Sequence, residues 1–116
     1  MPPAREAEAL HQVLEDYNWD DGLALLAQMA RSSGCDLALA LELFYLADGA
    51  AWLDALREGR PPDGPEDWRA LLSTLYDGIS SGRYLRSGRP YALPLNRTQR
   101  VRYAKAGVPP VFLEDA

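Results

Sequence analysis

Three groups of residues carry side chains that could do chemistry, and the first surrounds His11, the only histidine. Glu8 lies three residues before it and Glu15 four residues after it, a spacing that places all three on one side of a helix. Such a triplet could hold a metal ion weakly. Because it flanks an apolar stripe, it is more typical of a solvated charge cluster. The sequence therefore predicts no metal site and no cofactor.

The other two groups are a lone cysteine and a set of aspartates. Cys35 stands at a predicted helix start, where the helix dipole could lower the pKa of its thiol, although a small buried or capping cysteine explains it as well. Asp20, Asp21 and Asp36 could act as paired carboxylates in acid and base catalysis, but helix capping accounts for all three. No general base or set of oxyanion donors can be named, so no catalytic residue is predicted. A small hydrolase-like enzyme using this polar helix junction remains an alternative.

The elements that must position these groups are helices. Apolar residues recur at helical spacing, and Gly, Pro and capping residues interrupt them, which predicts an all-α, compact bundle of about five helices. An extended C-terminal strap follows, with room for a short sixth helix. The predicted helices span about residues 3–17, 20–32, 36–47, 50–58 and 65–81, and the sixth spans 98–105.

Two features inside this bundle matter for function. The string at residues 17–22 (YNWDDG) cannot sit inside one helix, so we expect a junction held by a buried Trp19. The third helix is apolar nearly all round, which predicts the centre of the core. Glu42 interrupts it, so this carboxylate either points to solvent or is buried against a partner such as an arginine of the strap.

Charge is divided along the chain. Residues 1–82 carry a net charge of −10, whereas residues 83–105 carry seven basic and no acidic side chains. The simplest interpretation is that the basic strap folds back over the acidic helices and neutralises them. Alternatively, Tyr84, Tyr91 and Tyr103 among the strap arginines could stack bases and form a nucleic-acid-binding module. The acidic pI of about 4.7 disfavours nucleic acid.

Length and composition indicate one soluble helical domain over residues 1–116, with a helical core (1–82) and a basic, proline-containing strap (83–116) that includes the short helix. A single cysteine forms no internal disulfide, and the N-terminus lacks the apolar stretch of a secretory signal. No apolar run is long enough to span a membrane. We therefore expect a cytoplasmic protein that does not engage membranes.

Part of the sequence resembles a known family. The YNWDDG string, followed by Cys35-Asp36, Phe44-Tyr45 and Asp48-Gly49, resembles the signature of a small bacterial helical domain family of unknown function. The resemblance covers about residues 10 to 53. It implies a helical fold, and the short stand-alone members of the family imply an immunity partner of a secreted toxin.

Together these observations predict a non-enzymatic protein-binding protein, most concretely a bacterial immunity-type protein that neutralises a cognate toxin or effector. Its acidic helical surface would contact the partner, and homo-oligomerisation is left open. The expected contact residues are carboxylates with two aromatic anchors: Trp19, Asp20, Asp21, Asp36, Glu42, Tyr45 and Asp48.

Overall fold

Six α-helices dominate the computed structural model, which describes the backbone of residues 3–116 and the side chains from Glu6 onward. They are α1 (Pro3–Glu15), α2 (Ala24–Arg31), α3 (Leu37–Leu46), α4 (Gly49–Arg57), α5 (Glu66–Ser80) and α6 (Arg97–Lys105), and two 3-10 helices span Trp19–Asp21 and Pro110–Phe112. No strand occurs in the described residues, which confirms the all-α prediction. Met1 and Pro2, part of the stretch searched for a secretory signal, lie outside them.

Helix α3 lies at the centre of the core, as its composition predicts. Leu39, Leu41, Leu43 and Phe44 are fully buried, because a helix that is apolar on every side must be covered on every side. It packs against α1, α2, α4 and α5. Asp36 caps its first turn by accepting a hydrogen bond from the Leu39 amide at 2.8 Å.

The junction after α1 differs from its prediction. Trp19 is 37% exposed, so the expectation of a buried tryptophan is wrong. Tyr17 holds the turn instead, because its hydroxyl donates to the Gly22 carbonyl and its ring meets Trp19 edge-on with centroids 6.0 Å apart. Gly22 adopts a φ of 89°, which ends the 3-10 helix and splits the single helix predicted over residues 20–32.

The turn between α3 and α4 places the unusual backbone on a residue other than glycine. Asp48 has a φ of 65° and a ψ of 46°, a left-handed conformation that Asp tolerates better than most residues. Gly49 is needed for a different reason. A Cβ there would lie 2.3 Å from Cδ2 of the Phe44 ring and 2.6 Å from the Phe44 carbonyl oxygen, so no side chain fits.

The strap (residues 83–116) is docked on the helical core. The Leu37 amide donates to the Leu85 carbonyl at 2.9 Å, and the Tyr84 hydroxyl donates to the Ala30 carbonyl at 2.7 Å. Leu93 and Leu95 of the strap are buried, whereas the Leu85 side chain is 70% exposed and does not anchor the strap. Phe112, which was not predicted, is fully buried and completes the core from the strap side.

Candidate functional site

Five exposed carboxylates come from three segments that local contacts join, and we name this set the acidic edge. Asp20 and Asp21 come from the first 3-10 helix, Asp48 from the α3–α4 turn, and Glu66 and Asp67 from the first turn of α5. None of the five forms an ion pair within the described part of the chain. Their negative charge is therefore left for solvent or a partner.

Local contacts bring the three segments of this edge together. The Trp68 indole nitrogen donates to the Ala47 carbonyl at 2.6 Å, which holds the start of α5 beside the turn that carries Asp48. Asp21 and Asp67 line a common shallow groove of about 320 Å³ between α2 and α5. Arg31 also lines this groove and is its single cation.

An exposed aromatic side chain borders the acidic edge. Trp19 immediately precedes Asp20 and Asp21 and rests against Tyr17. Large aromatic side chains beside charged groups are frequent anchors in protein interfaces. Trp19, Asp20, Asp21 and Asp48, which were predicted as contact residues, are exposed. Glu66 and Asp67, which were not predicted as contact residues, are also exposed, in the first turn of α5.

Asp36, another predicted contact residue, is buried and fully engaged inside the chain. Its carboxylate accepts hydrogen bonds from Arg89 Nε at 2.8 Å, from Arg89 Nη2 at 3.1 Å and from the Ser87 hydroxyl. Burial by itself would raise the pKa of Asp36, but the hydrogen bonds from Arg89, Ser87 and the Leu39 amide outweigh it and the pKa is lowered. Its charge is neutralised within the fold, so Asp36 does not belong to the acidic edge.

Glu42 is half-buried against a partner, as the second alternative suggested, but the partner is His11 rather than an arginine of the strap. The Oε1 atom of Glu42 lies 3.1 Å from Nδ1 of His11, which is ion-pair distance, but the two groups are too poorly aligned for a hydrogen bond. The other ring nitrogen of His11, Nε2, lies 2.9 Å from Glu15 Oε1. Burial raises the pKa of Glu42, while His11 and Arg89 act in the opposite direction. The predicted solvated cluster around His11 is thus a link between α1 and α3.

Tyr45 and Cys35 are committed to the interior. The Tyr45 hydroxyl donates to the Phe112 carbonyl, and burial raises the pKa of this phenol, so Tyr45 is a core residue rather than a surface anchor. Burial, reinforced by the neighbouring Asp36 charge, raises the pKa of the Cys35 thiol to about 12. The expectation of a small buried cysteine is confirmed, and the alternative of dipole activation finds no support because the thiolate is the reactive form.

Comparison with known proteins places the chain in a family. The family model described as "Domain of unknown function (DUF4274)" matches residues 5–80. The chain belongs to this family. No curated protein and no solved structure matches it.

In this DUF4274 member the matched region contains the acidic edge and most of the core, whereas the basic strap lies beyond it. Two of the seven basic side chains at residues 83–105 form ion pairs: Arg89 with Asp36, and Arg100 with Asp115 at 3.1 Å. The strap therefore neutralises the acidic helices only in small part. Both the negative and the positive fields persist at the surface.

The strap tyrosines that could stack nucleic-acid bases turn inward. Tyr84 and Tyr103 are buried, and the Tyr103 hydroxyl donates to Asp54 at 2.7 Å. Tyr91 is half-buried and its backbone exchanges two hydrogen bonds with Ala116. Base stacking requires an exposed ring face, so this arrangement gives the nucleic-acid alternative no support.

Across the residues that the structure describes, no group of three or more His, Cys, Asp or Glu side chains is arranged to hold a metal ion. In the same residues, no helix combines the length and apolar character that crossing a membrane requires.

Proposed function

We propose that this DUF4274 member is a non-enzymatic protein-binding protein of the bacterial immunity type, which neutralises a cognate toxin or effector in the cytoplasm. The acidic edge is the observation that supports the proposal. Its five carboxylates come from three segments and form no ion pair in the described residues, and Arg31 is the single cation of the groove that Asp21 and Asp67 line. Holding like charges together is unfavourable unless a partner or solvent compensates them, so such a surface favours a basic partner.

The contact residues in this proposal are Asp20, Asp21, Asp48 and Asp67, with Trp19 as the aromatic anchor. Trp19 supplies the apolar area that carries affinity, while the carboxylates steer association and select a basic surface. Glu42, another predicted contact residue, is left out of this set, because it is half-buried beside His11 and contributes little to any interface.

The test begins with a tagged pull-down from the source organism and identification of the bound proteins. A stoichiometric, basic partner is expected, and its association should weaken as salt is raised because exposed charges are screened. The purified pair is then measured by calorimetry with the double variant Asp20→Lys/Asp21→Lys and with Trp19→Ala. We expect each to weaken binding at least about tenfold, in line with hot-spot and charge-complementary contacts.

The matched control is Asp77→Lys, which reverses an exposed carboxylate on α5. It lies ten residues after Asp67, or roughly 15 Å along the helix. Affinity should be unchanged in this variant. If the double variant binds as tightly as the wild type, or if Asp77→Lys weakens binding equally, the acidic edge is not the interface.

A further inference from the structure

A second cavity, which shares only Arg31 with the groove at the acidic edge, lies between the α2–α3 loop and the first residues of the strap. It measures about 390 Å³, within the range of pockets that hold small molecules. Its polar walls are Arg31, Ser32, Ser33 and Arg83, and Tyr84 and Leu85 add apolar surface. Nothing in the proposed function uses it.

Two arginines from different elements give this cavity its character. Arg31 ends α2 and Arg83 follows α5, and neither forms an ion pair in the part of the chain described here. The Arg83 guanidinium carbon sits 5.5 Å from the Tyr84 ring centroid, a cation–π contact that holds it at the wall. Two guanidinium groups around one space match the oxygens of a phosphate better than any neutral ligand.

The one carboxylate in the wall does not cancel this charge. Both oxygens of Asp36 already accept hydrogen bonds, and Arg89 supplies its counter-charge from outside the cavity. Cys35, also in the wall, is a neutral thiol because burial raises its pKa to about 12. The cavity therefore keeps the positive charge of Arg31 and Arg83.

Hydroxyl groups and an apolar rim complete the fit. The Ser32 hydroxyl accepts a hydrogen bond from the Gly34 amide at 3.1 Å, which fixes its oxygen and leaves its proton to donate. Leu85 is 70% exposed at the rim, since its backbone rather than its side chain docks the strap. A ligand with an anionic head and a short apolar body satisfies both parts.

We propose that this cavity binds a small phosphate monoester, with its phosphate between Arg31 and Arg83 and its apolar body against Tyr84 and Leu85. The site goes beyond the proposed protein-binding function and does not depend on it. Trp19→Ala, which leaves every residue of the cavity in place, should therefore bind the ester as the wild type does.

The test uses phenyl phosphate as the probe, with calorimetry and two-dimensional amide NMR on the full chain. Saturable binding is expected, with shifts at Ser33, Gly34 and Leu85. Arg83→Gln should weaken binding about tenfold, because it removes a charged hydrogen-bonding partner. The affinity of Arg83→Lys should lie between those of the wild type and Arg83→Gln, because Lys keeps the charge but lacks the planar guanidinium.

Arg97→Gln is the matched control, because it removes the same charge from the exposed face of α6, outside the cavity. It should leave the affinity unchanged, and circular dichroism should show that every variant is folded. Four results would each overturn the proposal: no binding at millimolar probe, shifts confined to α6, equal loss in Arg97→Gln and Arg83→Gln, or benzoate binding as tightly as phenyl phosphate.

Discussion

Replacing Arg89 with methionine should destabilise the fold strongly, because it leaves the Asp36 carboxylate buried without its counter-charge. The two side chains are 53 residues apart in the sequence and meet through two hydrogen bonds. The Asp36 side chain is 2% exposed and the Arg89 side chain 14% exposed. Water therefore has little access to either charge.

The magnitude follows from this burial. Removing one partner of a buried ion pair costs about 3–5 kcal/mol. The Ser87 hydroxyl and the Leu39 amide still donate to Asp36, so we expect the lower limit, about 3 kcal/mol. With an unfolding entropy of about 2.1 cal/mol/K per residue, this corresponds to a melting temperature lower by roughly 12 °C for 116 residues.

The assay is urea unfolding followed by tryptophan fluorescence and circular dichroism. Arg86→Met is the matched control, because Arg86 is an exposed neighbour in the strap without an ion pair in the described residues. Its free energy of unfolding should change by less than about 0.5 kcal/mol. Adding Asp36→Asn to Arg89→Met should recover part of the loss, since Asn removes the buried charge and can still cap α3.

The pH dependence provides a second readout. The pKa of Asp36 is lowered in the folded state, so its stabilising contribution is fully present above its unfolded value of about 3.9 and is lost as pH falls below that value. In Arg89→Met, burial dominates and protonation of Asp36 relieves the cost. The stability difference between wild type and variant should therefore shrink as pH approaches 3.

Two results would refute this reasoning. One is a loss below about 1 kcal/mol for Arg89→Met, which would mean that Asp36 is solvated or compensated by another group. The other is an equal loss in Arg86→Met, which would mean that the strap responds to any reduction in its positive charge.

Three further predictions concern single residues of the interior. Cys35 should react slowly with a maleimide in the native protein and quickly in urea, because burial raises its pKa to about 12; rapid native labelling would show an accessible thiolate. Gly78→Ala should lower the free energy of unfolding by about 1–3 kcal/mol, although Ala has the better helix propensity, because its Cβ would lie 2.6 Å from the buried Tyr84 ring. A variant that is more stable in urea would contradict this packing. Glu42→Leu should leave the melting temperature at pH 7 unchanged or raised. Burial raises the pKa of Glu42, so its ionised form opposes folding at pH values above that pKa. A clearly lower melting temperature would show that the contact with His11 stabilises the fold.

The positions of the helices could be predicted because their signals are local. The apolar residues of α5 recur at helical spacing behind an acidic first turn, and both its limits agree with the prediction within about two residues. The continuous apolar run of α3 predicted its burial for the same reason. Trp19 was placed wrongly because an aromatic residue in a polar junction fits a buried and an exposed position equally well.

The candidate site followed the sequence only where the side chains are exposed. Asp20 and Asp21 sit in a short 3-10 helix and Asp48 in a turn, and such connecting segments usually lie at the surface. The apolar run of α3 already indicated burial at Tyr45, whereas Asp36 is buried because Ser87 and Arg89 of the strap cover it, which no local pattern specifies. Asp67 lies at the acidic edge because the hydrogen bond from Trp68 to the Ala47 carbonyl holds the start of α5 beside the α3–α4 turn.

The positions of the helices, the central place of α3 and the separation of negative from positive charge can all be read from composition and short-range periodicity. The pairing of Arg89 with Asp36 rather than with Glu42, and the cavity that Arg31 and Arg83 share, depend on how distant segments pack. The hydrogen bond between Leu37 and Leu85 and the packing of the Tyr84 ring against Gly78 hold the strap in place on the helices. This position of the strap brings Arg89 to Asp36 and Arg83 to the cavity. Contacts between such distant residues depend on three-dimensional packing, which local propensity does not specify.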